Sequence, residues 1–174
     1  MRVKVGDIDK LILELQNIEQ EKNMGTIISL NISTAKGVNK DPVDEVRLRI
    51  DHGIEGDAHA GKWHRQISLL AEESIDFMRA KGLELDPGAF AENITTKNID
   101  LVNLPVGTRL TAGETEIEVT QIGKKCHQGC AIFQQVGDCI MPREGIFAKV
   151  VTPGAIHPGD PIVIKETPAK QQKG

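Results

Sequence analysis

All three cysteines of this 174-residue chain fall between Cys126 and Cys139, in Lys124-Lys125-Cys126-His127-Gln128-Gly129-Cys130-Ala131-Ile132-Phe133-Gln134-Gln135-Val136-Gly137-Asp138-Cys139. Lysine and histidine beside a thiol favour the thiolate, the form that attacks electrophiles and binds soft metals. Two other chemistries stay open. Cys126, His127, Cys130 and Cys139 are all zinc-ligand types. However, Cys-x3-Cys with eight residues before the third cysteine departs from paired zinc knuckles, and adjacent Cys126 and His127 would struggle to ligate one ion. The thiols can also be small buried hydrophobes, as free cysteine often is.

A second constellation is the run Asp51 to Gln66, which holds three of the five histidines, His52, His59 and His64, among glycines and alanines. Small residues let backbone approach a ligand closely, and an imidazole can donate, accept, carry a proton or bind metal. In an extended backbone Asp57 and His59 face the same way. The competing reading is a polar loop whose histidines hydrogen-bond the backbone, since the spacing matches no standard metal motif. A third candidate is Arg143, in Met141-Pro142-Arg143-Glu144-Gly145 between a proline turn and an expected strand. Its guanidinium offers a rigid fork for phosphate or carboxylate; a surface pair with Glu144 is disfavoured by adjacency.

The elements that must position these residues follow from periodicity. Ile8, Leu11, Ile12, Leu15 and Ile18 recur at spacings of three and four over residues 7–22, which predicts an amphipathic helix that docks through this stripe. Asn23-Met24-Gly25 ends it, so residues 1–23 read as an accessory helix ahead of a compact domain over 24–166. Short strands are expected over 26–32, 45–50, 66–70, 91–95, 107–111, 116–121, 145–151 and 161–165, with a helix over 71–81 stopped by Gly82. Ala112-Gly113-Glu114-Thr115 reads as a hairpin turn, while Pro153-Gly154 and His157-Pro158-Gly159-Asp160 punctuate the last strands. Many short strands between turns give a mainly β class, a barrel or curled sheet with a few outer helices. Residues 167–174 read as a frayed tail.

Composition narrows the function classes. A hydrophobic share of 39% suits a soluble domain with a real core, and no apolar run approaches the roughly 20 residues of a membrane span. The net charge of −4 argues against broad nucleic-acid binding, leaving small molecules or protein partners. Acidic residues thread through the first apolar stretch, unlike a secretory signal, and three clustered thiols suit a reducing compartment, so a cytoplasmic location is expected.

The order of motifs carries a resemblance. Gly56-Asp57-Ala58-His59-Ala60-Gly61, His64-Arg65-Gln66-Ile67-Ser68-Leu69-Leu70, Gly88-Ala89-Phe90-Ala91-Glu92-Asn93-Ile94-Thr95, Gly123-Lys124-Lys125-Cys126-His127-Gln128-Gly129-Cys130, Met141 to Ala148 and Gly159-Asp160 follow one another. Over residues 24–165 this resembles a stand-alone bacterial MOSC domain, the family named for the C-terminal domain of molybdenum cofactor sulfurase. The resemblance implies a MOSC-type barrel, like the β-barrel domain of pyruvate kinase, with flanking helices. It implies a cleft that holds the molybdenum cofactor, or handles sulfur for it, through a cysteine. Larger relatives reduce N-hydroxylated compounds at a cysteine-bound molybdenum centre; sulfurase-associated domains bind the cofactor for sulfur delivery. Cys130, followed by Ala131-Ile132-Phe133, matches the family cysteine better than Cys126, the second choice, and Cys139 reads as a supporting thiol. Cys130 is then the metal ligand and leading catalytic candidate, with Cys126 and with His59 as proton donor. Asp57, Arg65, Lys124, Lys125, His127 and Arg143 become the cofactor-binding set. Expected partners are the cofactor itself or the proteins that make and receive it. A non-enzymatic adaptor role stays open, and a reductase would need an external redox partner, because the sequence shows no flavin, haem or iron-sulfur motif.

Overall fold

The computed structural model describes residues 5–126 and 130–169. Strands whose alternate residues are apolar cannot remain flat in water, and here they close on themselves. β1 (Met24–Ile32) pairs with β11 (Pro161–Glu166), which pairs with β7 (Arg109–Ala112). The sheet continues through β8 (Thr115–Ile122), β9 (Ile146–Thr152), β5 (Ile67–Ala71) and β6 (Ile94–Lys97), and returns to β1. The result is a closed seven-stranded barrel. All its pairings are antiparallel except β5 with β6, which are parallel because α2 (Glu72–Arg79) crosses between them. β2 (Asp41–Val43) extends β1, and β3 (Val46–Arg49), β4 (Gly53–Ile54) and β10 (Gly154–Ile156) form a small second sheet.

The barrel interior is filled by Ile27, Leu30, Ile67, Leu69, Ile94, Leu110, Ile117, Val119 and Ile146 with their neighbours. β5 is apolar on both faces because it has two cores to serve. Ile67 and Leu69 point into the barrel, while Leu70 points outward to a second cluster of Ile75, Met78, Phe90, Cys139, Ile140, Met141 and Phe147. This outer cluster carries α2, α4 (Met141–Glu144) and the segment around α3 (Ala131–Val136), so the thiol segment, which joins β8 to β9 in sequence, packs on the outside of the barrel at β5 and β9.

The helix expected over 7–22 is α1 (Val5–Lys22), but its stripe does not dock on the barrel. Ile8, Leu11, Ile12, Leu15 and Ile18 each stay between 46% and 56% exposed. Deleting residues up to Lys22 is therefore expected to change the unfolding free energy of the remainder by no more than about 0.5 kcal/mol, the ordinary range for exposed positions. Chemical denaturation of the shortened chain checks this; a larger loss would show that α1 braces the barrel. The strand expected over 91–95 starts later, at Ile94, because the preceding residues curl around a buried acid. The Gly88 and Phe90 amides donate to the Glu92 carboxylate at 2.5 and 3.1 Å, and the Thr95 hydroxyl donates to it at 3.1 Å. Three donors compensate part of the cost of burial, which pushes the Glu92 carboxyl up. Gly154, expected in a turn, instead opens β10 against Leu48. Of the tail expected over 167–174, residues 167–169 carry no regular structure and 170–174 lie outside the described residues.

Candidate functional site

Where β8 ends at Ile122, the chain turns away from the barrel and runs into the thiol segment. Gln121 to Cys126 form one wall of an open cleft of about 780 Å³, a size typical of small-molecule sites. Cys130, Phe133, Asp138, Cys139, Pro142 and Arg143 form the other. The sequence candidates Lys124, Lys125, Cys126, Cys130 and Arg143 all line this space; His127 lies outside the described residues. Cys126 and Cys130 are exposed and Cys139 is buried at the base. Burial pushes the Cys139 thiol up, and the neighbouring Cys130 and Cys126 sulfurs act in the same direction, the former through a hydrogen bond. Cys139 therefore stays a protonated thiol at neutral pH, consistent with a supporting role. Among the described residues no three His, Cys, Asp or Glu side chains converge as a metal cluster, so the zinc reading finds no support there.

Arg143 pairs with a carboxylate through a single guanidinium nitrogen, and that carboxylate is not Glu144. Its Nη1 lies 3.0 Å from Asp138 Oδ1, and Lys81 Nζ reaches Asp138 Oδ2 at 2.5 Å. The hydrogen bonds from Arg143 and Lys81 hold Asp138 well below the usual carboxylate range. This clamp fixes the segment just before Cys139, whose own amide donates to Asp138 Oδ1 at 2.8 Å.

Lys124 also lines a second, smaller cavity of about 130 Å³, together with His59, Trp63, Arg65, Ser68, Ala91, Asn93, Met141 and Phe147. Arg65 lies between two aromatic rings, 4.7 Å from the Trp63 centroid and 5.5 Å from that of Phe147. Its Nε is buried and has no hydrogen-bond partner among the described residues. A buried donor without an acceptor is costly, and here the two rings seal it from water, so it is the rest of the guanidinium that can serve the cavity. The cavity floor is fixed by Asn93, whose Oδ1 accepts from the Ser68 amide and hydroxyl, both at 3.1 Å.

The two remaining candidates of the histidine run separate in depth. His59 lines the smaller cavity, whereas Asp57 is fully enclosed behind it and lines neither space. Asp57 is engaged by a residue that sequence reasoning missed: Lys40 Nζ lies 2.9 and 2.5 Å from its two oxygens, with both side chains almost wholly buried. Burial alone would raise the Asp57 carboxyl, but the Lys40 Nζ and the His59 backbone amide both donate to it and hold the group well below the usual carboxylate range. Nothing in the local pattern around Lys40 signals this role, since its partner is 17 residues away and a lone lysine in a polar stretch reads as surface.

The chain matches the MOSC domain family over residues 56–163, which spans both cavities and most of the barrel. It belongs to the MOSC family. Solved structures with the same fold include the YuaD protein of Bacillus subtilis, at TM-score 0.67 and 22% identity over 80% of this chain and 94% of that one. YiiM of Geobacillus stearothermophilus gives 0.61 and 24% over 82% and 75%, and YiiM of Escherichia coli 0.61 and 20% over 84% and 72%. No curated protein matches the chain. Among the described residues no helix is long and apolar enough to cross a membrane.

Proposed function

We propose that this MOSC domain binds the molybdenum cofactor and carries it, or handles sulfur for it, through a reactive cysteine, with Cys130 the leading candidate and Cys126 the second. The observation that carries this reading is that a three-thiol cleft and a smaller cavity lined by His59 and Arg65 share Lys124 as a wall residue. The donor set fits the group: thiols for a soft metal, and Arg65, Lys124, Lys125 and Arg143 for anionic oxygen and phosphate. When bound, the cofactor supplies a metal centre that accepts thiolate and exchanges oxygen or sulfur ligands. The chain's own part is to present two exposed thiols, Cys126 and Cys130, above the buried Cys139 and to neutralise negative charge along the cleft.

The test is metal content after loading with the cofactor. Cys130→Ala is expected to retain no more than about a tenth of the wild-type molybdenum, a loss comparable to those seen when metal-site partners are removed. Equal loading in wild type and Cys130→Ala, with loss in Cys126→Ala, would transfer the role to Cys126. Equal loading in all three would overturn the thiol reading. A second reading, a small reductase of N-hydroxylated compounds, is favoured by His59 on the adjoining cavity, where a ring nitrogen can meet a leaving hydroxyl. It requires an external electron donor, and turnover with a chemical reductant would distinguish it from carriage alone.

A further inference from the structure

His59 is held at three points. Its amide donates to Asp57 Oδ1 at 3.1 Å, its carbonyl accepts from Trp63 Nε1 at 2.9 Å, and its ring Nδ1 lies 3.2 Å from Lys40 Nζ. An ammonium has donors only, so a hydrogen bond at that distance requires Nδ1 to be the acceptor. The rival partner for Nδ1 is Asp57 Oδ1, at 3.7 Å, which is beyond hydrogen-bonding range. Lys40 Nζ also donates to both oxygens of the enclosed Asp57 carboxylate, which fixes its place beside the ring. We infer that Lys40 is a positioning residue that fixes neutral His59 as its Nε2–H tautomer, so that the ring presents a hydrogen-bond donor to the smaller cavity.

The consequence concerns the class of group this wall receives. With His59 Nε2 donating, and the Arg65 guanidinium and Lys124 adding positive charge, the smaller cavity selects an oxygen acceptor: a phosphate, an oxo group or a hydroxyl oxygen. It does not select a group that must lose a proton to His59. This deepens the proposed function and rests on it for the ligand. The tautomer itself is a property of the free protein and can be tested separately.

Long-range proton–nitrogen correlation spectra of uniformly labelled full-length protein, recorded near pH 8.5, about two units above the ordinary imidazole value, report both ring nitrogens. His59→Gln assigns the signals. A pyridine-like Nδ1 with a pyrrole-like Nε2 is expected; the reverse pattern, or averaged shifts, would overturn the inference. Because removing Lys40 alone strands a buried carboxylate, the second variant is Lys40→Met with Asp57→Asn, which neutralises the pair. It is expected to show averaged tautomer shifts, and a retained single Nε2–H form would overturn the role given to Lys40. Titration with inorganic phosphate should then move the His59 Nε2 signal in wild type. No movement, with the tautomer intact, would count against the anion reading of the cavity and not against Lys40.

Discussion

Lys40→Met is expected to destabilise the protein by about 3–5 kcal/mol at neutral pH, because it leaves the Asp57 carboxylate buried and uncompensated. The pH dependence provides a sharper signature than the midpoint. In the wild type the folded Asp57 carboxyl is held below its unfolded value, so its stabilising contribution is fully present above about pH 4. It is lost as pH falls through the lower folded value. In Lys40→Met the lysine's hydrogen bonds and charge are gone while the His59 amide still donates, so the carboxyl's folded value rises and its stabilising contribution above about pH 4 shrinks. Urea unfolding at pH 3 and pH 6 reads the difference: the variant should gain less stability than the wild type as pH rises between them. The Lys40→Met, Asp57→Asn pair should recover most of the loss, since replacing a buried ion pair by neutral residues of similar size costs far less than breaking it. If Lys40→Met unfolds at the wild-type midpoint with the wild-type pH profile, the pair does not hold the histidine loop.

Local rules disclosed much of the fold in advance. Short strand-like runs bounded by turn residues located β1, β3, β5, β7, β8, β9 and β11 to within a few residues, and the stripe at spacings of three and four located α1. The barrel's closure was legible only through the family resemblance, because β1–β11 pairing joins residues far apart in sequence and leaves no periodic trace. Short elements escaped for a related reason. β2, β4 and β10 have two or three residues each and exist because a neighbouring strand offers an edge, not because their own side chains prefer extension. α3 was legible and missed. Ala131 to Val136 is followed by Gly137 with φ +69°, and a glycine just past a run with Ile132, Phe133 and Val136 at helical spacing is a standard stop signal. At the site, residues that share a short segment were found together: Lys124, Lys125, Cys126 and Cys130 line one cleft. Lys40 was missed and the enclosure of Asp57 was not read because their partnership is tertiary, and sequence spacing carries no burial. The orphaned Arg65 Nε was equally invisible; only packing between Trp63 and Phe147 removes it from water.

Gly123→Ala should have the second large effect, because this glycine is where the barrel hands the chain to the thiol segment. Its φ is +70°, a left-handed conformation that costs a residue bearing a Cβ about 1–2 kcal/mol. Space is lacking as well: an added Cβ would collide with the Pro142 carbonyl oxygen, which is backbone and cannot swing aside as a side-chain tip would. The position is also pinned by its amide, which donates to the Gly145 carbonyl at 2.7 Å and ties the end of β8 to the start of β9. Strain and collision together predict a loss of at least about 2 kcal/mol. Relief would come from moving the Lys124 to Cys126 wall away from Pro142 and Arg143, so the cleft should distort even where the barrel persists. The measurement pairs denaturant unfolding with alkylation rates of the individual cysteines. Wild type should alkylate at the exposed Cys126 and Cys130 well before the buried, high-pKa Cys139. Gly123→Ala should narrow that gap by exposing Cys139. Unchanged stability and an unchanged order of reactivity would show that the thiol segment is positioned by the Asp138 clamp alone and that the glycine junction is incidental.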